Sequence, residues 1–521
     1  MKKRYFLKGL ISFLLLPFLL QGGEAKLNSL LEKLWKSQNI TEIQTAPDSV
    51  FLRRASLNIV GSIPNRWETG NFLRDPSGDK RSRYIEKLLA SDGFADVMTM
   101  RFADMLRIKS EFPINLWPNA VQAFHAKIRR DILADRPLKD MVCEMLTSSG
   151  SNFQIPYANT FRASADRTPK GLAKSIGRTF CGIDTATLSP WNQEKFALFF
   201  SRIRYKSTKE WKEEIVYTDP EDVSFSARMP DGRSFRIRTQ ETDPRKVFTD
   251  ALFSPENPVF ARAFANRVWA WLFGSGVIGD KPDAMPPSPP NALEKFFMTE
   301  EELIRYEILD HLAKEFIRNG YSLKKLCRLI LHSKAYNAHF KPVVKSEYSK
   351  ARRVFAVYPV RRLEAEIIAD LLAQTIGLKE RYMSVIPEPF TYIPANFKAV
   401  QIDDGSISSG FLGNFGRPSR DAGAFEERNN AITGSQRLFL MNSARLFHAC
   451  NRFSDNILRQ KRDSIEAHYN EIYMLLLNRP PEEREIGILE KRRKALNNNS
   501  WKVCRELVWA LVNTREFLYY H

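Results

Sequence analysis

The sequence has few of the residues and patterns that metal and redox chemistry require. Its 521 residues include seven His and five Cys, and no two Cys form a C-x-x-C pair. A four-cysteine zinc site and a covalently attached c-type haem are therefore excluded. Also absent are the H-E-x-x-H zinc helix, the G-x-x-x-x-G-K-[ST] phosphate loop and the G-x-S-x-G nucleophile turn. The sequence predicts no metal and no cofactor, and it assigns no reaction.

Long apolar runs are also scarce, and the longest lies at the N-terminus. Four basic residues precede an apolar run from Leu10 to Leu20, and small residues follow at Gly23 and Ala25. This pattern predicts an export signal peptide over residues 1–25, cleaved after Ala25. The competing interpretation is a membrane anchor, but the run is far shorter than the roughly 20 residues that span a bilayer. We therefore expect an extracytoplasmic protein, periplasmic or secreted.

The charge of the chain is strongly positive. There are 79 Lys+Arg against 60 Asp+Glu, a formal net charge of +19. Cleavage would remove four basic residues and one acid and leave +16. Outside the cell this charge argues against nucleic acid and favours an anionic glycan or another envelope protein as partner. We expect no integral membrane segment after cleavage, and short basic runs such as 491–494 fit solvated helix faces.

Apolar spacing predicts a mainly α fold. We expect an N-terminal helical domain over residues 26–205 and a C-terminal helical domain over residues 251–521. Between them, residues 206–250 alternate apolar and polar residues around Asp231-Gly232, which is typical of a β-hairpin linker region.

Several helices of the C-terminal half can be predicted individually. Phe260, Phe264, Val268 and Leu272 form one stripe of an amphipathic helix that Gly274 ends. The G-x-G-x-x-G match at 274–279 follows this helix rather than a strand, so we interpret it as a helix stop and turn and not as a dinucleotide site. Further helices are predicted at Glu301–Asn319, Leu323–His332, Arg362–Ile376, Ser435–Ile457, Ile465–Leu477 and Trp501–Val512.

The richest polar segment lies in residues 415–430. Its candidate binding residues are Arg417, Arg420, Asp421, Glu426, Glu427 and Arg428. Guanidinium groups beside carboxylates on a glycine-flanked loop can recognise a carboxylate, a sulfate or sugar hydroxyls. Paired carboxylates can also act as general acid and base on a glycosidic bond. The third interpretation is structural, an Arg–Glu network that holds a long loop on the helices.

Motifs spread along the chain resemble a known family. Phe51-Leu-Arg-Arg54 with Gly61-Ser-Ile-Pro64, and later Phe102-Ala-Asp-Met-Leu-Arg107, resemble the planctomycete secreted cytochrome-associated domain of unknown function (fifteen-forty-nine). Asn266-Arg-Val-Trp269 and Phe415-Gly-Arg-Pro418 resemble its usual partner, the planctomycete secreted domain of unknown function (fifteen-fifty-three). The resemblance implies a large, mostly helical, exported protein of two domains.

The resemblance also identifies a degenerate cysteine segment. Many members carry Cys-x-x-Cys-His before a Trp and a Phe-Phe pair. Here Cys181 is present, but Asp184 stands where the second Cys would fall and Thr185 where the His would fall. This departure implies that the chain kept the scaffold and lost the redox or metal chemistry of that segment.

These observations favour an exported helical scaffold or binding protein, accessory to the handling of anionic polysaccharide at the cell envelope. The alternatives are an extracytoplasmic hydrolase that uses the carboxylates of residues 415–430, and a divergent relative of cytochrome-associated redox proteins.

Overall fold

The fold is described from a computed structural model, which covers residues 22–394 and 396–521. It is 57% helical and 6% strand, which confirms the prediction of a mainly α protein. All but the last four residues of the predicted signal peptide lie outside the described residues. Residues 22–37 are helical (α1), and the carbonyl of Gly23 lies 2.8 Å from Nε2 of His311.

The first half of the chain is a succession of short helices followed by small strands. The elements are α2 Asp48–Val60, α3 Arg66–Arg74, α4 Lys80–Leu89, α5 Asp92–Met105, α6 Pro118–Leu133, α7 Leu138–Thr147, β1 Gly150–Ser151, α8 Asn159–Arg162, α9 Pro169–Ile176, α10 Pro190–Ala197, β2 Ile203–Ser207, β3 Glu214–Thr218, β4 Ser224–Arg228 and β5 Ser234–Arg238.

The second half is helical apart from two very short strands. Its elements are α11 Pro244–Leu252, α12 Val259–Phe273, α13 Ala292–Phe296, α14 Glu300–Arg318, α15 Leu323–His332, α16 Lys334–Asn337, α17 Tyr348–Arg353, β6 Arg361–Arg362, α18 Ala365–Ile376, α19 Gly410–Asn414, α20 Gly434–Asn442, α21 Ala444–Leu458, α22 Ile465–Leu477, α23 Glu483–Ala495, α24 Ser500–Val512, α25 Arg515–Leu518 and β7 Tyr519–Tyr520.

The strands form three small antiparallel sheets. One has the order β1-β3-β2, and the other two are the pairs β4-β5 and β6-β7. In the β4-β5 pair, Ser224 lies opposite Arg238 and Arg228 opposite Ser234. The β6-β7 pair joins Arg361–Arg362 to the last strand of the chain, so it holds the C-terminus beside the start of α18.

Helix α12 lies at the centre of the protein, and here one prediction was wrong. The expected stripe of Phe260, Phe264, Val268 and Leu272 is buried, but so is every other residue from Phe260 to Phe273. A helix that is buried on all sides is surrounded by the core rather than laid on it. The predicted end was correct, because Gly274 adopts φ 89° and donates its N–H to the carbonyl of Ala270.

The two halves share one hydrophobic core, a single cluster of buried residues from Leu27 to Tyr520. Phe102 of α5 contributes to the packing of α5 against α12, with its ring 5.6 Å from Phe264 and 6.0 Å from Trp271. Arg54 of α2 donates to the carbonyl of His521 at 2.8 Å. The sequence motif at residues 51–54 therefore ties an early helix to the end of the chain.

Candidate functional site

The loop of residues 415–430 is closed at its base by backbone contacts. The N–H of Asn429 donates to the carbonyl of Gly416 at 3.1 Å. Nη2 of Arg362 donates to the carbonyls of Phe415 and Asn429, at 2.8 and 2.9 Å. Gly416 has φ +79°, and a Cβ there would lie 1.8 Å from the Asn429 carbonyl oxygen. Only glycine fits at this crossing.

The three predicted arginines converge on two carboxylates that lie outside the loop. Arg420 Nε is 2.9 Å from Oδ1 of Asp104, and Arg428 Nη2 is 2.6 Å from Oδ2 of the same group. Arg428 Nη1 also lies 2.6 Å from Oε2 of Glu366. Arg417 Nε is 3.3 Å from Oε1 of Glu366. This chain of ion pairs attaches the loop to α5 and to α18.

The electrostatics of the network follow from deep burial. Burial raises the pKa of Glu366, but the charge of Arg428 and its hydrogen bonds outweigh this effect and lower the pKa to about 2. Burial, together with the neighbouring charge of Arg420, lowers the pKa of Arg417 to about 10. The guanidinium groups are thus crowded together, and Glu366 is held ionised between Arg417 and Arg428.

The three predicted acids do not converge. Oδ1 of Asp421 accepts from Nζ of Lys109 at 2.7 Å, and Oε2 of Glu426 lies 2.5 Å from Nζ of Lys281 on an exposed surface. Glu427 accepts three backbone N–H groups of its own loop, from residues 421, 422 and 423, at 3.1, 2.9 and 2.8 Å. The carboxylate of Glu427 therefore stabilises the conformation of the loop.

A cavity of about 180 Å³ lies beside the network, between α5, α12, the start of α18 and the loop. Four arginines line it, namely Arg101, Arg267, Arg361 and Arg428, together with two carboxylates, Asp104 and Glu364. We call it the arginine cavity. Trp271 and Phe425 add aromatic surface to its lining.

The two carboxylates do not provide each of these four arginines with a close ion pair. Arg361 lies 3.3 Å from Oε1 of Glu364, whereas Arg101 is 3.8 Å from the same oxygen. Arg101 Nη1 and Arg361 Nε are buried atoms without a hydrogen-bond partner in the described part of the chain. Arg101 is only 4% exposed. Buried donors without partners are costly, so they mark a place where an acceptor is missing.

Arg267 is the clearest case of an arginine without a counter-ion. Its Nη atoms donate to the backbone carbonyls of Thr179 and Arg178, at 2.6 and 2.9 Å. Within the described residues no carboxylate lies within ion-pair distance of it. Burial lowers its pKa, and the charge of Asp283 raises the pKa from a longer distance. The positive charge of Arg267 is therefore only partly compensated by the described chain.

Sequence analysis missed Arg101, Arg267 and Arg361 as site residues. Arg101 and Asp104 lie in α5, within the mainly apolar stretch 98–106, where a buried charge is unusual. Arg267 lies in the motif Asn266-Arg-Val-Trp269, which served only as a mark of family resemblance. A charged residue inside an apolar helical pattern is the sequence signal that could have identified Arg101 and Arg267.

In the degenerate cysteine segment, the described contacts of Cys181 and Asp184 stabilise the local structure. Cys181 ends a π turn over Gly177–Cys181 and is buried, and burial raises its pKa to about 12. Asp184 accepts the N–H of Ala186 at 3.0 Å and caps the short turn Thr185–Thr187. The π turn also supplies the carbonyls that Arg267 contacts, so the segment lies beside the arginine cavity.

Two further properties concern the described residues only. No group of three or more His, Cys, Asp and Glu side chains is arranged there to hold a metal ion. No helix in this part of the chain has the length and apolar character needed to cross a membrane.

Comparison with known proteins gives family matches alone. Residues 26–203 match PSCyt2, a protein of unknown function (DUF1549). Residues 244–492 match PSD1, a protein of unknown function (DUF1553). No curated protein and no solved structure matches the chain. The order of the two matches confirms the resemblance inferred from the motifs.

Proposed function

The chain belongs to the family in which a PSCyt2 domain precedes a PSD1 domain, both of unknown function, and from this premise we propose that it binds a small anionic molecule in the arginine cavity. The proposal is a binding function and includes no reaction. It refines the scaffold or binding protein expected from the sequence, because it gives that protein a ligand class and a site.

The observation that carries the proposal is the excess of guanidinium groups over carboxylates around the cavity. Isolated buried charges are strongly unfavourable unless they are paired. A carboxylate or sulfate in the cavity would supply the missing negative charge. It would also lie beside Arg101 and Arg361, each of which has one buried N–H without a partner within the described chain. Arginine suits this role because its planar fork matches both anions.

The size and lining of the cavity narrow the ligand further. A cavity of about 150 Å³ holds a benzene-sized molecule, and the arginine cavity measures about 180 Å³. It therefore suits one small ring that carries an acidic group. Trp271 and Phe425 offer flat apolar surface to the face of such a ring. We propose an acidic monosaccharide, a uronate or a sulfated sugar.

The predicted export signal supports a location outside the cytoplasm, where acidic sugars occur in envelope polymers. The protein would then act as an accessory in the handling of anionic polysaccharide. In this proposal residues 26–205 and 251–521 are two helical domains joined by the β-containing region 206–250. Arg101 would come from the first domain, and Arg267, Arg361 and Arg428 from the second.

The test is a titration of the full chain with D-glucuronate, with D-glucose as the neutral control, by calorimetry and by thermal unfolding. We expect saturable binding of glucuronate and an increase in Tm that depends on its concentration. Arg101→Met should weaken binding at least tenfold. It should not lower the Tm of the unliganded protein, because it removes a buried charge that is poorly paired.

Arg492→Met is the matched control, because Arg492 pairs with Glu506 on an exposed surface away from the cavity. It should leave glucuronate binding unchanged. Equal binding of glucose and glucuronate, or no binding of glucuronate and sulfate at millimolar concentration, would contradict the proposal. So would an Arg101→Met protein that binds as well as the wild type.

A further inference from the structure

A second cationic site lies on another part of the surface, between helix α21 on one side and residues 377–382, Ile393, Pro394 and Phe397 on the other. This groove encloses about 750 Å³, within the range of about 300–1,000 Å³ typical of ligand sites. We call it the basic groove. Its charged lining residues are Lys379, Glu380, Arg381, Arg445 and Arg452. None of them lines the arginine cavity.

One wall of the groove is a cationic face of α21. Arg445, His448 and Arg452 are spaced three and four residues apart, which places them on the same side of a helix. All three side chains are exposed. Buried residues of α21 such as Leu446, Cys450 and Ile457 lie mainly on the other side. The helix thus buries its apolar face and presents Arg445 and Arg452, with His448 between them, to the groove.

The other wall begins where α18 ends. Gly377 adopts φ 69° and stops the helix, and the chain then presents Lys379 and Arg381 to the groove. The two walls contact each other directly. Nη2 of Arg445 donates to the carbonyl of Lys379 at 2.8 Å, and Nη1 lies 3.6 Å from Oε2 of Glu380.

The charges of the groove are far from balanced. Glu380 is the single carboxylate among its lining residues. The cations are Arg445 and Arg452 on the α21 wall and Lys379 and Arg381 on the other wall. Within residues 22–394 and 396–521, no carboxylate lies within ion-pair distance of Arg381 or Arg452. Clefts lined by one sign of charge concentrate ligands of the opposite sign.

The groove also has an apolar surface, and it extends into a neighbouring cavity. Tyr382 and Phe397 line it and also line an adjoining cavity of about 330 Å³, which contains Asp370, Gln374 and Asn396. The groove therefore continues into a second cavity, whose charged lining residues are two lysines, Lys379 and Lys398, and two carboxylates, Asp370 and Glu380. Aromatic and aliphatic surface suits the C–H faces of sugar rings, while the cations suit acidic substituents spaced along a chain.

From this arrangement we infer that the basic groove binds an extended acidic polysaccharide through its carboxylate or sulfate groups. The inference goes beyond the proposed function, because it concerns a different site and a polymer rather than a small molecule. Loss of either site leaves the other intact, so the two can fail separately.

The experiment measures binding of the full chain to fluorescently labelled polygalacturonate by anisotropy, at 50 and 300 mM NaCl. Neutral dextran and a single-stranded DNA oligomer are the comparison polymers. We expect polygalacturonate to bind at least tenfold more tightly than dextran or DNA. Binding should weaken markedly at the higher salt concentration, because exposed charges are screened.

The groove variant is Arg445→Gln with Arg452→Gln, and its matched control is Lys491→Gln with Lys494→Gln, which removes two exposed cations from helix α23. The groove variant should bind polygalacturonate at least tenfold more weakly, and the control within twofold of wild type. The groove variant and its control should both keep the wild-type circular dichroism spectrum, since the altered residues are exposed.

Three results would overturn the inference. They are DNA binding as tight as polygalacturonate binding, equal losses in the groove variant and the control, and an absence of polygalacturonate binding at 50 mM NaCl. The small-molecule titration with glucuronate is read separately, so its failure would affect only the arginine cavity.

Discussion

Arg428 and Asp104 form an ion pair across 324 positions of the chain, with Nη2 of the arginine 2.6 Å from Oδ2 of the carboxylate. Asp104 lies within the PSCyt2 match and Arg428 within the PSD1 match. The other oxygen of Asp104 accepts from Arg420 at 2.9 Å. One carboxylate of α5 therefore holds two arginines of the 415–430 loop and joins the two matched segments.

Asp104→Asn should destabilise the protein by about 3 kcal/mol, because it leaves two buried guanidinium groups short of one negative charge. Urea unfolding followed by tryptophan fluorescence measures the change. Asp79→Asn is the control, since the Asp79–Arg83 pair is exposed and should contribute less than about 1 kcal/mol. Equal stabilities of the two variants would mean that the buried pair does not hold the loop.

Glu427→Ala should loosen the loop without unfolding the protein. The variant leaves three backbone N–H groups, those of residues 421, 422 and 423, without their carboxylate acceptor. We expect hydrogen exchange at these three amides to become at least tenfold faster, with little change in the helices. Unchanged exchange would show that the carboxylate does not shape the loop.

The same position tests the hydrolase alternative. Glu427→Gln keeps an oxygen acceptor and removes the charge. If the wild type cleaves a glycan and Glu427→Gln abolishes turnover while the three amides stay protected, Glu427 is a catalytic group. If turnover and amide protection decline together, its role is structural.

Stability should fall as the pH rises from 5.5 to 8, in part through Asp370. Burial raises the pKa of Asp370 from 3.8 to about 7, despite two backbone hydrogen bonds from residues 399 and 400. Between the unfolded and folded pKa values the folded state binds more protons. This stabilisation is therefore complete below pH 4 and is lost as the pH rises through 7.

The contribution of Asp370 is at most about 4 kcal/mol, from a shift of about three pKa units. Asp370→Asn should flatten the change in unfolding free energy between pH 5.5 and 8.0. The difference between wild type and variant isolates this group from all other titrating side chains. Parallel pH profiles for the two proteins would contradict the assignment.

The five cysteines should be unreactive thiols in the native protein. All five are free, and four of them are buried. Burial raises the pKa of Cys181, Cys327, Cys450 and Cys504 to about 12, and that of Cys143 to about 11. At pH 8 the thiolate fraction is then about 0.1% or less.

Ellman's reagent at pH 8 checks this prediction. We expect no reaction of the native protein within minutes and release of five equivalents in 6 M guanidinium. Three equivalents or one after unfolding would reveal a disulfide and contradict the free thiols. Rapid native labelling at Cys143, the least buried of the five, would contradict the prediction for that thiol.

Helix positions could largely be predicted, because apolar spacing is a local property. The expected helices at Glu301–Asn319 and Leu323–His332 correspond to α14 and α15 within one residue at each end. The expected single helix Ser435–Ile457 is two helices. Ser443 separates them, since its side chain accepts the N–H of Leu446 and starts α21. The apolar pattern continues through this break and so conceals it.

Helix α23 was not predicted, for the opposite reason. Leu489 is its one buried residue among Glu483–Ala495, so the apolar pattern is almost absent. Its start is fixed by a capping box between Glu482 and Glu485, and Arg493 pairs with Glu490 on its surface. Such polar interactions leave a weaker trace in the sequence than burial does.

By itself the sequence determined the mainly α fold, the family and the polar, arginine-rich character of the 415–430 loop, because these depend on residues close together along the chain. Only the tertiary structure decided which charges that loop meets. The partners of its arginines, Asp104 and Glu366, lie some 50 to 320 positions away, and Arg101 and Arg267 reach the cavity from two other helices. Whether a charge is neutralised depends on distance through space, and no local pattern in the sequence records that distance.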